Sequence, residues 1–213
     1  MTVGATPAAR PAGTLLGRAL TDRAWFDRPA LEVAQDLLGK RLVHDTAEGI
    51  VAGRIVETEA YAGPEDLAAH SSRGRTPRNG VMFGPPAHLY VYFVYGMHHC
   101  LNVVCGPGPK PEAVLVRAAA IDEGEALARS RRGAAGWGPA ARLAAGPGNV
   151  AAAFGIDRSL NGADLTSGPV YLTDGPRPGR VIARPRVGVA YAAEWAPLRW
   201  RFLVADDPHV SRR

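Results

Sequence analysis

Gly49-Ile50-Val51-Ala52-Gly53-Arg54-Ile55-Val56-Glu57-Thr58-Glu59-Ala60-Tyr61 is the stretch on which the fold turns. Its apolar run predicts a strand. Side chains on a strand alternate between faces, so Glu57, Glu59 and Tyr61 share one of them. Two carboxylates and a phenol then project from a rigid support. A polar, arginine-bearing loop over 63–80 follows, then the aromatic run Leu89-Tyr90-Val91-Tyr92-Phe93-Val94-Tyr95. Acids, a basic loop and aromatics in close succession suggest a site rather than a plain core.

Working upstream, Arg41 to His44 reads as a strand, joined to the first by a turn at Thr46-Ala47-Glu48-Gly49. Before it a helix is predicted from Asp27-Arg28-Pro29, with Asp27 as N-cap and Pro29 in the first turn. Leu31, Ala34, Leu37 and Leu38 form its apolar stripe, and Gly39 closes it. Downstream, Gly96 to Val104 reads as a strand and Ala113 to Ala118 as a short apolar one. A helix is predicted over 122–132, acids first and arginines last, in line with the helix dipole. Gly146-Pro147-Gly148-Asn149 opens another over 150–154. The remainder alternates short strands (170–173, 180–189, 200–204) with Gly/Pro turns. Strands in succession with peripheral helices predict an α+β fold: one domain around a curved, mainly antiparallel, barrel-like sheet. Residues 1–20 read as a flexible tail, and residues 21–213 as the domain.

The 213 residues are 46% hydrophobic, enough for a sizeable core. The net charge is +5, and nearly all the positive charge is arginine, since Lys40 and Lys110 are the only lysines. Arginine suits bidentate contact with phosphate, which fits a polyanionic partner such as nucleic acid. A compositional bias toward Arg, Ala and Gly accounts for the same numbers equally well. The two cysteines, Cys100 and Cys105, fall on opposite faces of a strand, which disfavours a mutual disulfide. Reduced thiols, no signal peptide at the start and no apolar stretch of membrane-spanning length together predict an intracellular protein.

Several residues could carry chemistry. A glutamate in a dry pocket can activate water, and glycosidic cleavage uses a carboxylate because its transition state places positive charge on the sugar. On the residues alone Glu57 and Glu59 read first as solvated strand residues, one of them paired with an arginine. Tyr90, Tyr92 and Tyr95 could stack on bases, or simply pack as aromatics do in strands. Tyr92 and Tyr95 lie on opposite faces of a regular strand, so one shared site requires a bend near Val94–Gly96. Gly96 makes that bend feasible. His70 could donate, act as an acid or make a structural hydrogen bond. No second ligand stands at metal spacing, so a metal role is rejected. Arg73, Arg75 and Arg78 could hold phosphates or form a solvated basic loop. Neither Gly-Pro-Gly segment matches a P-loop or a dinucleotide fingerprint.

The joint pattern is more specific than its parts. Arg54 to Tyr61, Gly63-Pro64-Glu65-Asp66, Ala69-His70-Ser71, Thr76-Pro77-Arg78-Asn79, Met82-Phe83, Leu89 to Tyr92 and Tyr95-Gly96-Met97 with Asn102 closely resemble the alkyladenine (3-methyladenine) DNA glycosylases. So do Leu115 to Ala118, Gly146-Pro147-Gly148, Arg186-Val187-Gly188-Val189 and Glu194-Trp195. The resemblance spans roughly residues 20–211. It implies excision of alkylated or deaminated purines from double-stranded DNA, with the target nucleotide flipped out of the stack. It implies Glu59 as the base that activates water. Tyr61, His70 and Tyr92 become pocket walls, Asn102 a selector on the pocket floor, and Arg117 a cation orienting the site near Glu59. Tyr95 becomes the wedge that fills the gap in the duplex. Arg75, Thr76, Arg78 and Met97 become contacts to the DNA backbone. A monomer without metal or organic cofactor is expected.

The chain also departs from the family pattern. The loop between His70 and Thr76 is one residue short, His98 stands where a tyrosine is expected, and Asn149 where a lysine is. Two extra residues lie between Asn102 and Arg117. Two competing readings remain at this level: a binder of damaged DNA without turnover, and a hydrolase of free nucleosides.

Overall fold

The computed structural model describes residues 17–108 and 110–211. Its centre is β2 (Gly49–Tyr61), thirteen residues long. Antiparallel β5 (Glu112–Glu123) covers one edge of β2 along most of its length. The other edge is shared. β1 (Arg41–Thr46) pairs with residues 49–54, and β8 (Arg201–Val204) takes over at Glu57–Glu59. β3 (Leu89–Val94) and β4 (His98–Cys105) extend the sheet beyond β5, β6 (Val170–Thr173) extends it beyond β1, and β7 (Val181–Arg184) pairs with β8. All the pairings are antiparallel, as expected. The sheet is curved but does not close into a barrel: its path runs β3-β4-β5-β2-β1-β6.

Curvature has an identifiable source. The β2–β5 register shifts between Ala52 and Gly53 and on either side of Glu57, where Val56 and Arg117 lack a direct partner across the ladder. Bulges of this kind bend a strand and increase its twist. Gly53 permits a close approach, since a Cβ there would stand 2.7 Å from the Ala120 carbonyl oxygen.

The main core lies on one face of the sheet. Val51, Ile55, Leu89, Val91, Leu101, Val103, Val114 and Val116 point into it, under α1 (Ala30–Asp36) and α3 (Pro147–Phe154). α1 starts later than the sequence suggests. Its N-cap is Pro29, and Asp27 accepts instead from the Gly108 N–H (3.2 Å). The Glu112 carboxylate, arriving from β5, accepts the Ala30 N–H at 2.6 Å. A distant acid thus satisfies a donor that local sequence reasoning assigned to Asp27.

Other boundaries differ too. The strand expected over 113–118 runs to Glu123, so Asp122 is strand rather than helix. α2 (Glu125–Arg131) begins only after Gly124 turns the chain at φ 71°. The strand expected over 180–189 stops at Arg184, before Pro185. Of the expected tail, residues 1–16 lie outside the described residues. Residues 17–20 run beside β6, with Ala19 bridging Thr173 and the Leu20 N–H donating to the Leu172 carbonyl (2.9 Å).

Candidate active site

The sheet's other face builds the site. One rung crosses five strands: Tyr90 faces Asn102, Asn102 faces Leu115, Leu115 faces Glu59, and Glu59 faces Arg201. A second rung sets Tyr92 opposite Cys100. The residues between them along each strand belong to the core. The same period-two alternation therefore makes core on one side and cavity on the other.

The cavity has a volume of about 360 Å³, within the usual range for small-ligand sites. The sheet supplies Glu59, Tyr61, Tyr90, Tyr92, Cys100, Asn102, Leu115 and Arg117. The loop from Ala68 to Met82 adds His70 and Arg78, and the segment from Val187 to Tyr191 closes the rim. Tyr61 and Tyr92 thus border one space, as the alternation on two separate strands requires.

Glu59 is fully buried from solvent yet borders this cavity. One oxygen accepts the Val187 N–H at 2.7 Å; the other accepts the Tyr61 hydroxyl at 3.0 Å and lies 3.3 Å from Arg117 Nη1. Burial raises its pKa above 4.5 despite the arginine and the two hydrogen bonds, and the neighbouring Glu57 pushes the same way. The solvated reading of both acids is therefore overturned, because Glu57 is buried as well. Glu57 accepts from Arg117 Nε and Arg201 Nη1, both at 2.9 Å, and from the Ser211 N–H at 2.7 Å. Burial alone would raise its pKa, but Arg117 and the Ser211 hydrogen bonds outweigh it and hold Glu57 low.

The aromatic wall is a packed unit. His70 meets Tyr92 edge-on at 4.6 Å between ring centres, and Tyr90 lies 5.3 Å from Tyr92. His70 Nδ1 and the Tyr90 hydroxyl are 2.9 Å apart. Burial, then Arg78, lowers the His70 pKa, so the ring is neutral at physiological pH. Burial raises the phenol of Tyr90 to about 12. On the floor, the Asn102 amide donates to the Tyr90 carbonyl (3.1 Å), which fixes its orientation.

Tyr95 stands at the bend the sequence required. Its φ is 54° and that of Gly96 is 67°, and its ring is 83% exposed beside the cavity. A left-handed tyrosine costs energy, and such strain concentrates at functional sites. Met97, next in the turn, is also exposed. Arg75 is exposed. Thr76 gives its N–H and hydroxyl to Asn79 Oδ1 (2.6 and 3.0 Å), while the Asn79 amide donates to the His70 and Gly74 carbonyls. Arg78 lies over the Tyr92 ring, 5.2 Å from its centre, and donates to the Phe93 carbonyl. His98 packs against the backbone at Gly148, and Asn149 donates back to the Ala145 carbonyl (2.7 Å).

Sequence reasoning gave no role to Asp66, Arg186 or Arg201. Asp66 and Arg186 form a buried bidentate pair (2.5 and 2.9 Å), and the guanidinium sits 5.0 Å from both the Tyr61 and Trp200 rings. The segments quoted above contain Asp66 and Arg186, but no local pattern says that they meet across 120 residues.

A dry carboxylate beside a slot of aromatic rings can activate water against a bound planar group. Residues 24–208 match the family of methylpurine-DNA glycosylases. The chain belongs to that family. A relative from Methanocella arvoryzae is 50% identical over 196 residues, covering 90% of this chain and 95% of its own length. One from Streptomyces avermitilis is 49% identical over 194 residues, 89% of each chain. One from Legionella pneumophila is 42% identical over 192 residues, 89% of this chain and 97% of its own. All three carry the name "Putative 3-methyladenine DNA glycosylase". Family membership makes the chain a DNA glycosylase, a hydrolase of N-glycosyl bonds that acts on DNA. Among the described residues of this glycosylase, no helix is long and apolar enough to cross a membrane.

Proposed function

We propose that this glycosylase excises alkylated or deaminated purines (3-methyladenine, 7-methylguanine, hypoxanthine, ethenoadenine) from double-stranded DNA, with water as the nucleophile. The observation that carries the reading is Glu59, fully buried from solvent but open to an aromatic cavity. The target nucleotide flips into the slot between Tyr61 and Tyr92, with His70 at its edge and Asn102 beneath. Damaged bases pair and stack weakly, so they are extruded at least cost. Glu59 takes a proton from water as oxygen attacks the sugar C1′ and the purine departs with the bonding electrons. The same carboxylate stabilises the positive charge that develops on the sugar. 3-Methyladenine and 7-methylguanine are themselves cationic in DNA, which favours both stacking between rings and departure as the neutral base; neutral hypoxanthine and ethenoadenine leave as anions that take up a proton.

Tyr95 enters the duplex where the base has left. Arg75, Thr76, Arg78 and Met97, on the loop after His70 and the turn after Tyr95, lie on the DNA-backbone side. Among the described residues no lysine lines the cavity, which supports hydrolysis without a Schiff base and hence without strand cleavage. In this reading the enzyme acts as a monomer. A duplex carrying a single hypoxanthine tests the reading. Release of free base, with strand scission only after alkali, is the expected result. Binding without release, or release only from free nucleosides, would overturn it.

A further inference from the structure

Glu57 is not placed to touch substrate. It is absent from the cavity lining, and its carboxylate is held by Arg117, Arg201 and the Ser211 N–H. Its position is nonetheless unusual, because Arg117 bridges it to Glu59. Arg117 Nε lies 2.9 Å from Glu57 and Nη1 lies 3.3 Å from Glu59. Arg117 also lacks a direct ladder partner on β2, and that irregularity aims its guanidinium between the two acids.

The charges facing this point can be named strand by strand. β2 gives Glu57, Glu59 and the Tyr61 hydroxyl; β3 gives the Tyr92 phenol; β4 gives the Cys100 thiol; β5 gives Arg117; β8 gives Arg201, 2.9 Å from Glu57. The Val187 N–H faces Glu59, and the Ser211 N–H faces Glu57. Arg186 directs its charge to Asp66. Among the described residues two carboxylates thus meet two arginines, but unevenly: Glu57 takes two guanidinium contacts at 2.9 Å and Glu59 one at 3.3 Å.

We propose that Glu57 is a positioning residue for base release: by holding Arg117 at the shorter of its two carboxylate contacts, it leaves Glu59 only partly neutralised and basic enough to activate water. The inference rests on Glu59 being the base. A carboxylate fully paired with an arginine is a weak base, whereas one that is dry and under-neutralised accepts protons more readily. The directions of the two acids agree, Glu57 being held low and Glu59 high.

The test is Glu57→Gln, which keeps the shape and removes the charge. Arg117 then faces one carboxylate, and the like charge on Glu57 is gone. Both changes favour ionised Glu59. Carboxyl NMR of the ¹³C-glutamate-labelled free protein should show the Glu59 midpoint falling by about one pH unit, in the range that an added neighbouring charge produces. The acid limb of single-turnover hypoxanthine release should move down by the same amount, with a several-fold slower plateau. An unmoved midpoint, with release uniformly slower at every pH, would sink the proposal and leave Glu57 a structural residue. A midpoint that moves while wild-type release shows no acid limb would instead sink Glu59 as the base. Should the single variant fail to fold with an extra buried charge, Glu57→Gln/Arg201→Gln keeps the charge balance, and the Glu59 midpoint should still fall, by less than in the single variant, because Arg117 is then left to Glu59.

Discussion

Glu59 combines two properties that oppose one another in a stable protein: complete burial and an ionisable carboxyl. Burial raises its pKa, so ionisation is complete only above a midpoint higher than 4.5. Base release should therefore rise with pH through that midpoint, and single-turnover rates from pH 4 to 8 would show it. Glu59→Gln removes the proton acceptor but keeps the size. Release should fall by at least about a hundredfold, the usual contribution of a positioned base. Affinity for a duplex with an abasic site should persist. Full release by this variant would remove Glu59 from the mechanism. Tyr95 is the opposite case, an exposed ring on a strained backbone that packs against nothing substantial. Tyr95→Ala should leave the melting temperature unchanged. It should weaken capture of a flipped nucleotide by about 1–3 kcal/mol, the value of one lost stacking contact, read as Kd for a lesion duplex. The placement of both residues was legible in the sequence, that of Glu59 through alternation along β2 and that of Tyr95 through Gly96, which lets the chain bend.

At the level of elements, legibility follows how local the cause is. The alternation that puts Glu59 and Tyr61 on one face is set within β2 and could be read directly. The end of β5 could not: Ile121-Asp122-Glu123 has acids that suit a helix start, and pairing with β2 keeps it a strand as far as Glu123. The start of α1 was obscured similarly, because Glu112 supplies the acceptor from far along the chain. Least legible of all was the Asp66–Arg186 pair, which joins the loop before His70 to the segment carrying Val187. It matters to the site because Arg186 stacks on Tyr61 and its neighbour Val187 donates to Glu59. Both side chains are fully buried. Removing one partner strands the other charge, which typically costs about 3–5 kcal/mol. Asp66→Ala should therefore lower the unfolding free energy by about 3–5 kcal/mol, seen as a lower urea midpoint at unchanged m-value, and slow base release even where the protein is folded. An unchanged midpoint would mean that the pair does not hold these two segments together.

On the scale of the whole molecule, the sheet separates two tasks: one face holds the main core and the other opens as a cavity toward the loop and turn that carry Arg73, Arg75, Arg78, Tyr95 and Met97. A net charge of +5 made almost wholly of arginine suits a partner of regular negative charge, but charge alone cannot tell DNA from a biased composition. Salt can. Each phosphate neutralised contributes a slope of about −0.9 to log K against log salt concentration. Three loop arginines on three phosphates give a slope of roughly −2.7 from that figure. Arg75 is exposed on that loop, whereas Arg78 is also held by Tyr92 and Phe93. Arg75→Ala should thus reduce the slope by about 0.9 while leaving the rate of release from the bound complex intact. Arg78→Ala should alter both, because it also strips a cation from the aromatic wall. Titrating a lesion duplex from 50 to 300 mM salt, with single-turnover release measured at saturation, separates the two effects. A flat salt profile for the wild type, with release undiminished, would mean that the basic loop faces away from the duplex and that the cavity alone captures the nucleotide.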